Sequence, residues 1–314
     1  MKKAFVLLAV LTARVQAASF SFTPIDFDGP GVTGTWAKGI NNAGQIVGAY
    51  EDSAGTHAFI YDAPNWTSLD FDGPGVTHTG ASDIDSSGRV VGSYDDSSGE
   101  HGYLFNGITW TPLNYSGPGA AGTSAAEGLN DTGVVMGGYD DISGGNGGYR
   151  YVAPDYTQLI FPGALDTNAD DITNSGLVIG DYWDGVGQHA YTYDGTTWTA
   201  LDYPGSAATW AERINEKSWI VGAYLEVGGL EDVSGGHGFL YDGTTWTNLD
   251  YPDAAYTWAE GINDSGWIAG WYIDAGGAEH GFLARPVPGP SSLLLASIGL
   301  GGLLRRKHRE SKAI

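Results

Sequence analysis

The stretch Trp258-Ala259-Glu260-Gly261-Ile262-Asn263-Asp264-Ser265-Gly266-Trp267-Ile268-Ala269-Gly270-Trp271-Tyr272 is followed by an Asp/Gly-rich loop and then His280-Gly281-Phe282-Leu283; this pattern occurs six times in a chain of 314 residues. Its anchor is isoleucine, or leucine once, at Ile40, Ile84, Leu129, Ile172, Ile214 and Ile262, with spacings of 44, 45, 43, 42 and 48 residues. An alanine stands three residues before each anchor (Ala37, Ala81, Ala126, Ala169, Ala211, Ala259). A glycine stands eight after it (Gly48, Gly92, Gly137, Gly180, Gly222, Gly270), and a tyrosine two beyond that (Tyr50, Tyr94, Tyr139, Tyr182, Tyr224, Tyr272). A period in the forties suits a four-stranded propeller blade.

Each copy reads as four short strands. In copy one they are the Ala-x-x-Ile segment, Ile46–Tyr50, Ala58–Tyr61 and Trp66–Phe71, with a tight Asn41-Asn42-Ala43-Gly44 turn between the first two. β-branched and aromatic residues fill the strands, while Gly, Asp, Asn and Pro fill the gaps. The second and third strands are apolar on both faces, as expected of a sheet sandwiched between neighbours. The sixth copy lacks a fourth strand, and Phe22-Thr23-Pro24-Ile25-Asp26-Phe27 at the other end of the chain has the missing pattern. The predicted fold is therefore all-β: a six-bladed β-propeller of four-stranded blades, closed by the N-terminal strand, with no unpaired edge.

The ends carry separate signals. Residues 1–17 read as a secretory signal peptide, with Lys2-Lys3, an apolar run from Ala4 to Ala13, and a small-residue cleavage site at Ala17. Residues 18–286 are the repeat domain. Six Lys or Arg against 36 Asp or Glu give it a net charge of about −30. Such a surface repels nucleic acid and anionic membrane, and leaves cations, neutral glycans or basic partners. The absence of cysteine excludes disulfides, thiolate catalysis and Cys-based zinc sites. Residues 287–314 begin with Val287-Pro288-Gly289-Pro290, continue with an apolar run from Leu293 to Leu304, and end in a basic cluster that includes Arg305 and Arg306. That run is short for a membrane span, and the basic end should stay cytoplasmic.

This tripartite tail resembles the PEP-CTERM sorting signal, departing from it at Gly289, where the family usually has glutamate. The resemblance implies a Gram-negative host, transient inner-membrane anchoring by the tail, an exosortase-like processing peptidase as partner, and a link to exopolysaccharide and biofilm. The repeats, with Ile-Asn-x-x-Gly-x-Ile-Val-Gly-x-Tyr and then His57-Ala58-Phe59, resemble the HAF family of extracellular repeats over nearly all of 24–285. That resemblance implies location and architecture rather than an activity.

Two constellations are candidates for chemistry. An acid lies two residues after each repeat tyrosine (Asp52, Asp96, Asp141, Asp184, Glu226, Asp274), and a histidine follows in every copy except the third, which has Gly147. These acids could serve a metal, calcium in particular, although none has the spacing of a dedicated calcium loop. Repetition favours an architectural role, with each acid capping a turn, and no cofactor is required. The second constellation breaks the symmetry. Trp36, Trp210 and Trp258 precede the repeat alanine in copies one, five and six only, and belong on the face that carries the long loop with Glu226, Glu231 and Asp232. Indole platforms beside carboxylates suit sugar rings. The leading reading is an exported, non-enzymatic surface or biofilm-matrix protein that binds a polysaccharide or displays an interaction scaffold. The alternative is a carboxylate-based glycosidase or lyase.

Overall fold

A computed structural model describes residues 19–226 and 235–287, which form 25 strands and no helix. The chain divides into two units, Ser21–Arg285 and the two ends Met1–Phe20 with Pro286–Ile314. Ala17, Pro288, Gly289, Pro290, Arg305 and Arg306 lie outside the described residues, and Val287 ends the last strand.

Every copy folds as an antiparallel meander. In copy one, Gly34–Ile40 pairs with Ile46–Asp52, that strand with Gly55–Asp62, and that with Asn65–Ser68. In copy six the strands are Tyr256–Ile262, Ile268–Ile273 and Glu279–Val287, and the N-terminal Ser19–Pro24 pairs with the last of them. The Ile25 N–H donates to the Gly281 carbonyl at 2.8 Å, and the Phe22 ring sits edge-on to Phe282 at 5.4 Å. Single parallel bridges join neighbouring copies: Thr56 with His78, Gln188 with Ala208, and Gly34 with Glu279.

The repeated residues have physical reasons. The inner strand bulges just after the repeat alanine, as at Ala37/Gly39 and Ala259/Gly261. A bulge bends the strand and turns its carbonyls out of the ladder. The carbonyl four residues before the anchor then lies over the repeat glycine. A Cβ at Gly48 would sit 1.9 Å from the Trp36 oxygen, and one at Gly270 would sit 2.2 Å from that of Trp258. Glycine is thus required six times by close backbone approach. The repeat tyrosine stacks on the aromatic residue that ends the preceding outer strand. Phe27–Tyr50, Phe71–Tyr94, Tyr115–Tyr139, Phe161–Tyr182, Tyr203–Tyr224 and Tyr251–Tyr272 have centroids 3.6 to 4.2 Å apart.

The asparagine after the anchor does two jobs. Its Oδ1 accepts turn N–H groups, such as Ala43 and Gln45 at Asn41. Its amide donates to the equivalent carbonyl of the next copy: Asn41 to Asp85, Asn130 to Thr173, Asn215 to Asn263, and Asn263 to Asn41. Asp85 has no amide to give. The Arg89 guanidinium, held by Asp85, donates to the Asn130 carbonyl in its place at 3.3 Å.

Candidate functional site

The histidine layer is a hydrogen-bonded network repeated in five copies. Five of the six loop acids accept turn N–H groups: Asp52 from Ala54, Asp96 from Ser98, Asp141 from Ser143, Asp184 from Val186 and Asp274 from Gly276, all at 2.7 Å. A serine hydroxyl at Asp96 and Asp141, the Gly187 N–H at Asp184, the Ala278 N–H at Asp274 and the Ala54 N–H at Asp52 contribute most, and with the other turn donors they hold these carboxyls below their ordinary range. Each histidine packs on its repeat tyrosine at 5.1 or 5.2 Å, stacked in four copies and tilted in the second. Nδ1 meets the outer-strand partner, Asp70, Asn114, Asp202, Asp250 or Asp26. Copy three has lost both members together, with Gly147 and Ile160 at these places. A Cβ at Gly147 would meet the Tyr139 ring at 2.2 Å. Among the described residues no three His, Asp or Glu converge as a metal ion would require.

The inner strands carry the asymmetry. Two residues before each anchor stand Lys38, Ser82, Glu127, Asp170, Glu212 and Glu260. One residue before stand Gly39, Asp83, Gly128, Asp171, Arg213 and Gly261. Arg213 is 3% exposed and donates to the carbonyls of Ser82, Glu127 and Glu212 at 2.7 to 2.8 Å, tying three copies together. Asp83 and Asp171 flank it and also cap neighbouring copies, accepting from the N–H of Leu129 and of Ile214. A Cβ at Gly39 would meet Asp83, and one at Gly128 would meet Asp171, both below 3 Å. The glycines therefore make room for the carboxylates. Residues of all six copies, among them Asn41, Asp85, Asn130, Asp171, Arg213 and Asn263, line one cavity here.

Beyond Arg213 the strands of copies five and six form an aromatic wall. Trp210 and Trp258 lie 5.4 Å apart, Trp258 stacks on Trp271 at 5.9 Å, and Tyr256 packs on both at 5.4 to 5.6 Å. Two carboxylates orient the indoles. Trp258 Nε1 donates to Glu212 at 3.0 Å, and Trp271 Nε1 donates to Glu260 at 2.8 Å. With their edges anchored, the three indoles are half-buried. Burial and then the Glu260 carboxylate push the Glu212 carboxyl up. Lys38 is raised, chiefly by Glu260, with Glu127 and Glu212 contributing.

Copy four supplies an acid pair. Its inner strand is broken into Asp166–Thr167 and Asp171–Ile172. Asp170 and Asp181 are both buried between these pieces and the second strand. Burial pushes both carboxyls up, and Asp181 adds to the effect on Asp170. Asn168 and Gln188 donate to Asp181 Oδ2.

Of the sequence candidates, Trp210 and Trp258 are brought together, and Trp36 is not. The Trp36 indole lies over Gly34 beside Glu279 instead. Glu226 is exposed at the end of its strand, in a separate pocket with Tyr203, Pro204 and Ser206. Glu231 and Asp232 lie outside the described residues. Sequence reading missed Trp271, Tyr256, Glu212, Glu260, Asp170 and Asp181. One register position would have pointed to two of them. The residue after the repeat glycine is Ala49, Ser93, Gly138 and Ala223 in four copies, but Asp181 and Trp271 in the others.

No protein-family model matches the sequence, and no curated protein sequence matches it. Solved structures match its fold. A structure described as TolB of Agrobacterium tumefaciens aligns at TM-score 0.57 and 12% identity, over 87% of this chain and 99% of that one. The SapL1 lectin, solved with α-methyl fucoside, aligns at TM-score 0.53 and 11% identity, over 82% of this chain and 97% of the lectin. A sialidase of Trypanosoma rangeli aligns at TM-score 0.55 and 10% identity, over 94% of this chain and 63% of the sialidase. With its repeated antiparallel meanders, the chain shares their β-propeller architecture.

Proposed function

We propose that this chain is an exported, six-bladed β-propeller, closed by its N-terminal strand, that binds a polysaccharide at the cell surface or in the biofilm matrix without turning it over. The aromatic wall carries this reading: three half-buried indoles packed around the buried Tyr256, two of them fixed edge-on by carboxylates, in the way a binding site offers aromatic rings and hydrogen-bond acceptors to a pyranose. SapL1 uses a related fold to hold α-methyl fucoside. Six blades and closure are supported by the Asn263–Asn41 link, which repeats the Asn41–Asp85 link, and by the bridge between Gly34 and Glu279. Export, sorting by an exosortase-like peptidase, and inner-membrane residence before release rest on the sequence of the two ends.

A second reading, a carbohydrate-active enzyme, draws on Asp170 and Asp181. Buried carboxyls pushed above their ordinary range, as burial does to both, are what a general acid needs. One assay separates the readings. Purified protein is mixed with the host's exopolysaccharide, and retention and soluble sugar release are read in the same tubes. Retention without release, lost at least about tenfold in Trp258→Ala, is expected from removal of one stacking platform of about 1–1.5 kcal/mol plus its buried area. Release that vanishes in Asp170→Asn would replace the binding reading with the enzymatic one.

A further inference from the structure

Four residues before each anchor the six copies carry Trp36, Gly80, Ala125, Asn168, Trp210 and Trp258. On the second strand the residue after the repeat glycine stands opposite: Trp258 pairs with Trp271, Trp210 with Ala223, and Ala125 with Gly138. Side chains opposite each other on an antiparallel pair share a face. Copy six thus sets two indoles where copy three sets an alanine and a glycine. Two residues further along these inner strands, the Arg213 guanidinium reaches carbonyls of copies two, three and five. The indole half and the small-residue half therefore come close together at this level.

The small pair leaves space. A cleft of about 130 Å³ opens over Ala125 and Gly138, lined also by Glu100, Asp140, Asn146 and Asn168. Gly137 is dictated by its surroundings, since a Cβ there would lie 2.2 Å from the Ala125 oxygen. Gly138 is not: a Cβ there would meet Asn168 Oδ1 at 3.5 Å, an ordinary contact. Its small size serves to keep the cleft open. An ordered water needs about 10–15 Å³ of such space, so the cleft holds several, or the polar edge of a sugar in their place. The lining suits hydroxyls. Asn168 spends its amide nitrogen on Asp181, which leaves Oδ1 beside Gly138 as an acceptor. Asn146 is exposed and offers both donor and acceptor, and the carboxylates of Glu100 and Asp140 accept from hydroxyls and repel a uronate.

We infer that the glycan is taken as an extended chain, with one residue on the indoles of copies five and six and a further, uncharged residue of the same chain lodged by its hydroxyls in the cleft at Ala125 and Gly138. The inference rests on the binding reading above and narrows it to the interior of a polymer, rather than a lone sugar or a chain end. It gives the two halves different parts: the indoles supply apolar contact, and the cleft supplies hydrogen bonds at a second point along the chain. It also accounts for the asymmetry, because an indole pair in copy three like that of copy six would fill the second point of contact.

The test is titration calorimetry of the full-length chain with the host's exopolysaccharide, partly hydrolysed and sorted by length from a single sugar upward. Affinity should rise about tenfold once a fragment is long enough to reach the cleft, the size of one or two added hydrogen bonds, and then level off. Gly138→Trp fills the cleft from a position that carries tryptophan in copy six. It should remove that rise and leave the shortest binding fragment unaffected. Asn146→Ala deletes an exposed amide from the lining and should remove part of the rise; it decides alone if the tryptophan prevents folding. Trp258→Ala should weaken every length alike. Affinity that does not change with length overturns the inference while the saccharide reading stands. A length dependence that both cleft variants leave intact overturns it too, since the far end of the chain would then lie elsewhere. Equal weakening of short and long fragments by Gly138→Trp would merge the cleft with the stacking site and leave no second point of contact. Binding of no fragment, with the intact polymer also unbound, removes the saccharide reading itself.

Discussion

Copies one, five and six solve a problem of backbone geometry differently from copies two, three and four. In every copy the bulged inner strand turns a carbonyl over the repeat glycine. In copies two, three and four a third-strand tyrosine donates its hydroxyl to that carbonyl: Tyr103 to Gly80, Tyr149 to Ala125 and Tyr191 to Asn168, at 2.7 to 3.0 Å. In copies one, five and six the third-strand residue is Phe59, Phe239 or Phe282, and the residue bearing the carbonyl is Trp36, Trp210 or Trp258. Tryptophan thus goes with phenylalanine, and a small or polar residue with tyrosine. One scaffold therefore holds two kinds of lining. One half presents indole, and the other presents small and acidic side chains backed by a buried hydroxyl.

The largest effect tests what the halves share. Phe239→Ala and Tyr149→Ala remove fully buried rings from opposite halves, and each should cost about 3–5 kcal/mol in denaturant unfolding. Unequal costs would mean that the two cores are built differently. Next, Tyr191→Phe leaves the Asn168 carbonyl without its buried donor and should cost about 1–3 kcal/mol. The reverse change in the aromatic half, Phe239→Tyr, offers the Trp210 carbonyl a donor and should be close to neutral. A large loss there would show that the indole half has no room for the hydroxyl.

A pH series sharpens the contrast at Asp170. Burial, then Asp181, raises this carboxyl above its ordinary 3.8, with Glu212 and Glu127 in the same direction and Arg213 opposed. The folded state therefore keeps a proton that the unfolded chain has released, and this group's contribution to stability falls as pH rises from about 4 toward the raised value. Asp170→Asn should gain on the wild type across that window, and the two should converge in acid. A constant gap at all pH values would mean that Asp170 ionises normally. The smallest effect is expected in the repeated outer layer. His57→Ala removes a partly exposed contact with Asp70 and should cost about 0.5–1 kcal/mol, without altering glycan retention. Loss of retention there would move the site outward, to the layer that symmetry marks as architectural.

Much of this was legible because the chain states its pattern six times. The asparagine turn, the repeat glycine and tyrosine, and the lone tryptophans all stand at fixed spacings. The reason for each was not legible. Gly48 recurs inside a strand, and the reason appears only when the Trp36 carbonyl is seen 1.9 Å from its would-be Cβ. The tryptophan candidates were found through asymmetry, yet Trp36 parts from the other two because its indole settles over Gly34. Asp170 and Asp181 escaped notice since a chain with 37 acids gives no single carboxylate prominence. What singles them out is burial.

Residue order alone settles the repeat, its strand order, the outer strand supplied from the N-terminus and the acidity, because local propensity and periodicity are written residue by residue. Folding in three dimensions settles which carboxylates lie buried, which indoles share a wall, and that Arg213 joins copies two, three and five. Those facts depend on the distance between residues as many as 131 positions apart. Such distances are set by the packing of one copy against another, and no single copy encodes them.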